Sequence, residues 1–264
     1  MEVSIESNSK GGKKLKRKEV LEKKKAIDAL IKTASIQKDH LASFPPFRNY
    51  NRNGLSVYLE SGSGEKLSSP MKAYIQTLLK VNMEGPYGQE WATQEKIKRR
   101  EMVASEARYI FARDAPNVSA ENISSASEKD VNFSSWTGDG DPVVGFVHYR
   151  FVVEEDVPVC YVYELQLECH VQGKGLGKFL MQLIELIACK CRMGAVMLTV
   201  QKVNILAMDF YMNKLRYVIS TISPSKVEPL LAVEKSYEIL CKTFDHASKV
   251  KLMEGKLEND GSVF

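Results

Sequence analysis

Apolar residues recur along this chain with two different periods, and the switches between them predict its elements. Between Lys16 and Lys32 the positions Val20, Leu21, Ala26, Ile27, Leu30 and Ile31 partly follow a helical stripe. Leu55 to Leu59 alternates as a short strand, and Ser61 to Gly64 interrupts it. Met71 to Met83 returns to helical spacing with Tyr74, Ile75, Leu78 and Leu79 inward, and Glu90 to Ala104 reads as a second, highly charged helix. Arg108 to Arg113 is a strand. Val143 to Val152 and Val159 to Leu167 form an antiparallel hairpin across a turn at Glu154, Glu155 and Asp156. A glycine-rich loop then opens a helix to Arg192 whose core face is Leu176, Phe179, Leu180, Leu183, Ile184 and Ile187. Ala195 to Val200 is a buried strand and Ala207 to Lys214 a short helix. Tyr217 to Ile222 and Tyr237 to Cys241 are further strands, and 244–264 reads as a frayed tail. This order predicts an α/β or α+β domain built on one mixed sheet.

Two segments break the rhythm. Residues 114–140 are rich in Ser, Asn and Asp, follow neither period, and are too long for an ordinary connection, so they read as a mobile insert. Their Asn-x-Ser triplets at Asn117, Asn122 and Asn132 read as chance matches, since the first residues show no apolar run of a secretory signal. The first 43 residues read as a disordered start and a basic helix that ends before Phe44-Pro45-Pro46-Phe47. The folded domain is then 44–243.

Charge sharpens that division. The 264 residues carry a formal net charge of +4, yet residues 1–38 alone hold eleven Lys/Arg against five Asp/Glu. The basic runs Lys13-Lys14-Leu15-Lys16-Arg17-Lys18 and Lys23-Lys24-Lys25 fit nuclear targeting, or attraction to a nucleosome, a ribosome or another polyanion. No run of about 18 apolar residues could span a bilayer, so no membrane partner is expected and the chain reads as intracellular. Cys160, Cys169, Cys189, Cys191 and Cys241 show no Cys-x-x-Cys spacing, and the four histidines are scattered. Neither a disulfide scaffold nor a metal site is expected.

The chemistry concentrates in Gln172-Gly173-Lys174-Gly175-Leu176-Gly177, between a strand and a helix. Glycines there let several amides point at one anion while the helix adds its positive end, which makes a phosphate cradle. A Walker A loop would need Ser or Thr after Gly177-Lys178, where Phe179 stands, and the glycine spacing is not that of a dinucleotide fingerprint. The spacing Gln172-x-x-Gly175-x-Gly177 does fit the pyrophosphate signature Gln/Arg-x-x-Gly-x-Gly/Ala, and in this the chain resembles the GCN5-related N-acetyltransferase (GNAT) superfamily. The preceding Tyr161–Leu167 strand and the following Val196–Val200, Asn204 and Ala207-x-x-Phe210-Tyr211 keep that superfamily's order.

Further motifs narrow the resemblance. Tyr50-x-Arg52-Asn53-Gly54-Leu55, Asn82-Met83, Glu90-Trp91, Lys98-Arg99-x-Glu101-Met102, Tyr163-Glu164-Leu165-Gln166-Leu167 and Ser236-Tyr237-Glu238-Ile239-Leu240 occur in sequence. Over roughly residues 15–243 the chain is similar to the N-alpha-acetyltransferase D (NatD) family, which acetylates the N-termini of histone four and histone two-A.

The resemblance implies an acetyltransferase fold, with a mostly antiparallel sheet flanked by helices. It implies acetyl-CoA as cosubstrate, histone N-terminal tails starting Ser-Gly-Arg-Gly as acceptor, and residence in nucleus and cytoplasm. Residue by residue it makes Glu164 the general base, with Tyr163 beside it, and puts Tyr211 where many members keep a thiolate-protonating acid. Leu165, Gln166, Leu167, the 172–177 loop, Thr199 and Asn204 would bind cofactor. Tyr87, Trp91, Tyr161, Tyr163 and Tyr237 would line the peptide entrance. Two departures stand out: Arg216 replaces a common glycine, and Val152 replaces a carboxylate that grips the substrate arginine. Glu154, Glu155 and Asp156 are the nearest substitutes in sequence. Strict alternation puts Glu164 opposite Tyr161 and Tyr163, so a base there requires a local bulge. A lysine or small-amine acetyltransferase of the same fold, or a non-catalytic acyl-CoA- or chromatin-binding module, are the alternatives.

Overall fold

The computed structural model describes residues 8–115, 140–228 and 235–255, with side chains from Arg17 onward. The greater part of the insert and the last nine residues thus lie outside the described residues.

Eight strands form one sheet in the order β1-β2-β3-β4-β5-β6-β8-β7. They are β1 (Asn49–Arg52), β2 (Leu55–Ser63), β3 (Arg108–Asp114), β4 (Val143–Glu154), β5 (Val157–Leu167), β6 (Ala195–Gln201), β7 (Val218–Ile219) and β8 (Tyr237–Thr243). Every neighbouring pair is antiparallel except β5 and β6. Those two are joined through helix α4 (Leu176–Lys190), the crossover a parallel pair requires. The sheet is therefore mixed and flanked by helices, as the acetyltransferase resemblance implies.

Two tight turns set the registers. Asn53 and Gly54 both take positive φ, and Arg52 pairs with Leu55, so β1 and β2 form a two-residue hairpin. Asn-Gly is the strongest short hairpin signal, and it supplies the strand β1 that periodicity alone did not predict. Glu155 and Asp156 do the same for β4 and β5, where Glu154 pairs with Val157.

The sheet separates two apolar layers. On one side α1 (Asn8–Ile36), through Leu30, Ile31 and Ala34, and α4, through Leu176, Leu180, Leu183, Ile184 and Ile187, cover Val147, Tyr149, Cys160 and Val162. His40 fixes the end of α1, bonding Ala34 O and the Tyr149 hydroxyl, each at 3.0 Å. On the other side lies α2 (Ser69–Tyr87), capped by Ser68 accepting from Met71 N. Its face Met71, Tyr74, Ile75, Leu78 and Leu79 follows i, i+3, i+4, i+7, i+8 and packs on Tyr109, Phe111 and Phe146. Helix α3 (Trp91–Glu101) follows on the same side.

Several boundaries differ from those the periodicity predicts. β2 runs on through Ser61 to Ser63 because β3 pairs with it along that whole length. The strand expected over 217–222 shrinks to Val218–Ile219, preceded by Arg216 at φ 64°. That left-handed conformation is one glycine adopts most readily, and here Arg216 takes it. The short helix is α5 (Ile205–Asp209) continued by a widened π turn, Phe210–Lys214. Helix α6 (Pro224–Val227) follows. The expected frayed tail is instead folded as far as Glu254. Asp245 caps α7 (His246–Lys249), and Leu252 in the next turn is fully buried, its carbonyl accepting from Thr221 N and the Ser220 hydroxyl. One apolar anchor every few residues suffices to hold such a segment, and it escapes a periodicity search.

Candidate active site

Strands β5 and β6 pair only from Val159 with Ala195 to Val162 with Leu198. Beyond that they part, leaving the main chain of Tyr163–Leu167 without a partner on the β6 side. The gap opens into a cavity of about 1020 Å³. Its walls are the end of β5, Thr199 to Gln201 of β6, the 172–178 loop, the Asn204–Lys214 turn, and Asn82, Tyr87, Lys98 and Glu101 from α2 and α3.

The glycine loop forms one end. Gly173 and Gly175 have φ of 71° and 87°. A Cβ on Gly175 would lie 2.7 Å from the Tyr50 hydroxyl, so only glycine fits. That hydroxyl and Asn53 Nδ2 both donate to Lys174 O, at 2.6 and 2.9 Å, and the Gln172 side chain ties back to Leu167 O at 2.9 Å. Gly175 offers α4 no side-chain cap, which leaves the amides of its first turn for an anion, with Lys178 beside them. Lys178 and Lys214, which the sequence reading did not single out, both face the cavity. This donor set suits the pyrophosphate of a coenzyme A ester. Lys174 and Leu176, expected to bind cofactor, do not line the cavity; the Leu176 side chain is in the core. Thr199 faces the cavity and shares a 2.6 Å hydrogen bond with the Tyr161 hydroxyl, while Asn204 caps α5 by accepting from Ala207 N at 3.1 Å. Burial, only partly offset by that Thr199 bond, pushes the Tyr161 phenol up to about 12.

The other end is built of side chains, and a bulge organises it. His148 pairs with Glu164 but Tyr149 pairs with Val162, so Tyr163 is an extra residue on β5. The extra residue flips the alternation, and Glu164 joins Tyr161 and Arg150 on one face of the sheet. Glu164 is 7% exposed. It ion-pairs with Lys98 of α3 and accepts from Gln166 Nε2 at 2.8 Å. Asn82 of α2 in turn donates to Gln166 Oε1 at 3.0 Å and to Leu167 O at 3.1 Å. Burial alone would depress the Lys98 ammonium, but Glu164's charge, then Tyr87 and the hydrogen bond, leave it well above the ordinary lysine value. Burial, then the charges of Arg150 and Lys98, lower His148 to about 3, so it is a neutral ring stacked between Tyr109 and Tyr163. Burial raises the Glu101 carboxyl, and Glu164 adds to this against Lys98 and Arg150. The guanidinium of Arg150 lies 4.3 Å from the Tyr163 ring centre and donates to Glu101 O at 2.6 Å.

Other expected site residues separate here. Tyr87, Tyr161, Tyr163, Glu154 and Tyr211 line the cavity. Tyr211 is buried, and burial followed by the Glu164 charge raises its phenol well above the tyrosine range, so it stays protonated. Trp91 does not reach the cavity. It is 6% exposed and packs with the α2 face against Tyr87, because the helix start that carries it turns inward. Tyr237 of β8 pairs with Gln201 of β6 and is not a cavity residue. Glu155 and Asp156 occupy the hairpin tip outside it, their carbonyls accepting from Lys251, so of the three acidic turn residues only Glu154 faces the cleft. Among the described residues no group of three or more His, Cys, Asp or Glu side chains is arranged to hold a metal.

A parted parallel strand pair, an anion loop at one end and a buried carboxylate at the other define an enzyme that moves an acyl group from a coenzyme A thioester. Residues 90–215 match the acetyltransferase (GNAT) family, and this stretch carries Glu164, the glycine loop and Tyr211. Over that stretch the chain carries an acetyltransferase unit of GNAT type, with acetyl-CoA as its cosubstrate. Among solved structures it is similar to a PaiA N-acetyltransferase of Thermoplasma acidophilum in complex with coenzyme A, at 16% identity over 72% of this chain and 100% of that one, TM-score 0.46. It is similar to a chain of the NatC complex bound to Gag peptide and CoA, at 12% identity over 72% and 99%, TM-score 0.45. NAA60 of Arabidopsis thaliana in complex with a bisubstrate analogue gives 12% over 71% and 99%, TM-score 0.45.

Proposed function

We propose that this acetyltransferase acetylates the N-terminal α-amine of histone tails that begin Ser-Gly-Arg-Gly, those of histone four and histone two-A, in nucleus and cytoplasm. The observation that carries the reading is the Tyr163 bulge, which turns the Glu164 carboxylate into the cleft beside Tyr161 and Tyr163. An α-amine has a pKa near 8, about two units below a lysine, so a carboxylate working through a water can free its lone pair. The amine then attacks the thioester carbonyl, which main-chain N–H groups of Leu165 to Leu167 polarise. The coenzyme thiolate leaves and takes a proton from the Tyr211 phenol. Glu154 and Glu101 both line the cleft and are the acidic groups available to a substrate arginine with Val152 at the turn. The NatD-like motif series supports the histone assignment, and the basic face of α1 supports docking on a nucleosome or ribosome.

Incubation with acetyl-CoA and a peptide panel, read by mass spectrometry, tests this. Acetylation is expected at the first residue of Ser-Gly-Arg-Gly peptides and not of the same peptides with blocked N-termini. Modification of internal lysines alone would make it a lysine acetyltransferase, and cofactor binding without turnover would make it a binding module.

A further inference from the structure

The Glu164 clamp has one member that the resemblance assigns no role. Lys98 sits on α3, 66 residues away in sequence, and its side chain is 11% exposed. Its ammonium contacts Glu164 Oε1 and lies 5.3 Å from the Tyr87 ring centre. A carboxylate taken out of water as far as Glu164 is costly unless an opposite charge sits against it.

The groups that face Glu164 come from five elements. From α3 there are Lys98 and Glu101; from β4, His148 and Arg150; from β3, Tyr109; from α2, Tyr87; from the π turn, Tyr211. The Tyr109 and Tyr211 phenols and His148 are neutral, and Glu101 is either neutral or repulsive. Arg150 is committed to the Tyr163 ring and to the Glu101 carbonyl. Lys98 alone places a positive charge in direct contact with the carboxylate.

We infer that Lys98 is the positioning residue for the acetyl transfer: its ion pair supplies the counter-charge to the buried Glu164 carboxylate and aims the carboxylate's free lone pairs into the cleft. Gln166, held by Asn82, fixes the second oxygen, so α2, α3 and β5 are joined at one carboxylate. Lys98 is no competing acyl acceptor, since its amine stays protonated. The inference rests on Glu164 being the base.

The test replaces Lys98 by methionine, which keeps the stem, and by arginine, which keeps the charge. Lys98→Met should lower kcat at neutral pH about tenfold to a hundredfold. It should move the acid limb of the kcat–pH profile up by roughly one to three units, since the buried carboxyl loses its counter-charge. Activity should then recover as pH rises. Lys98→Arg should return the limb to its original place, and acetyl-CoA affinity by calorimetry should not change. Added to Glu164→Gln, Lys98→Met should cost no further activity, because the two act as one unit. An unmoved acid limb, or full additivity in the double variant, would reduce Lys98 to a packing role. Wild-type turnover in Glu164→Gln alone would instead overturn the base assignment.

Discussion

The two ends of the cleft solve opposite problems with opposite materials. The cofactor end is made of main chain: glycines at positive φ, an uncapped helix start and a strand edge without a partner. The acceptor end is made of side chains: a carboxylate, an ammonium, an amide pair and a stacked imidazole drawn from α2, α3, β4 and β5. Main-chain recognition needs a local conformation, so it leaves a compact motif in one stretch of sequence. Side-chain recognition needs only that distant residues meet, and it leaves almost none. Substitutions should therefore be absolute at the first end and graded at the second.

The largest effect is expected at Gly175. A glutamate there must adopt φ near 87°, clash with the Tyr50 hydroxyl and set a negative charge against the pyrophosphate. Gly175→Glu should weaken acetyl-CoA binding by about a hundredfold or more, the first two causes alone amounting to some 2 kcal/mol. Calorimetry that finds unchanged affinity in a folded variant breaks the assignment of this end. At the other end, Glu164→Gln should leave cofactor affinity intact and cut kcat about a hundredfold.

A third prediction concerns pH. His148 is held neutral, with a folded pKa of about 3 against 6.5 free. Below 6.5 the unfolded chain binds the proton that the folded one refuses. The stability His148 contributes is thus complete above pH 6.5 and is lost as pH falls toward 3, by about 1.4 kcal/mol per unit. His148→Phe, which keeps a ring between Tyr109 and Tyr163, should flatten the dependence of melting temperature on pH in that window. An unchanged slope would place the titrating group elsewhere.

The smallest effect separates the acidic residues near the turn. Glu154→Gln should raise KM about five- to tenfold for Ser-Gly-Arg-Gly peptides, and less for peptides with alanine at the third position. Glu155→Gln with Asp156→Asn, outside the cleft, should change neither. Equal losses across all three residues would show that the turn acts only through general charge.

The same division decides what could be read before the fold was known. Gln172 to Gly177 was legible because each glycine answers to a local constraint. The α2 face was legible because its packing repeats with the helix. That Glu164 required a bulge followed from counting alternation, but Tyr163 as the extra residue did not, since nothing local marks where β4 and β5 fall out of step. Lys98 lay inside a motif already noticed, yet its target is on another strand. Trp91 was misplaced for the converse reason: an aromatic beside a cleft helix looks the same in sequence whether it faces the cavity or the core.

Tyr50 reaches across from the edge strand to hold the carbonyl of Lys174, on which the shape of the glycine loop depends. It stands forty residues before the stretch that matches the family begins. The catalytic unit is therefore not divisible along that boundary. A fragment trimmed to residues 90–215 would retain the glycines and the base, yet its anion loop would have lost the tether that sets its curvature, along with β1, β2, β7 and β8 of its sheet.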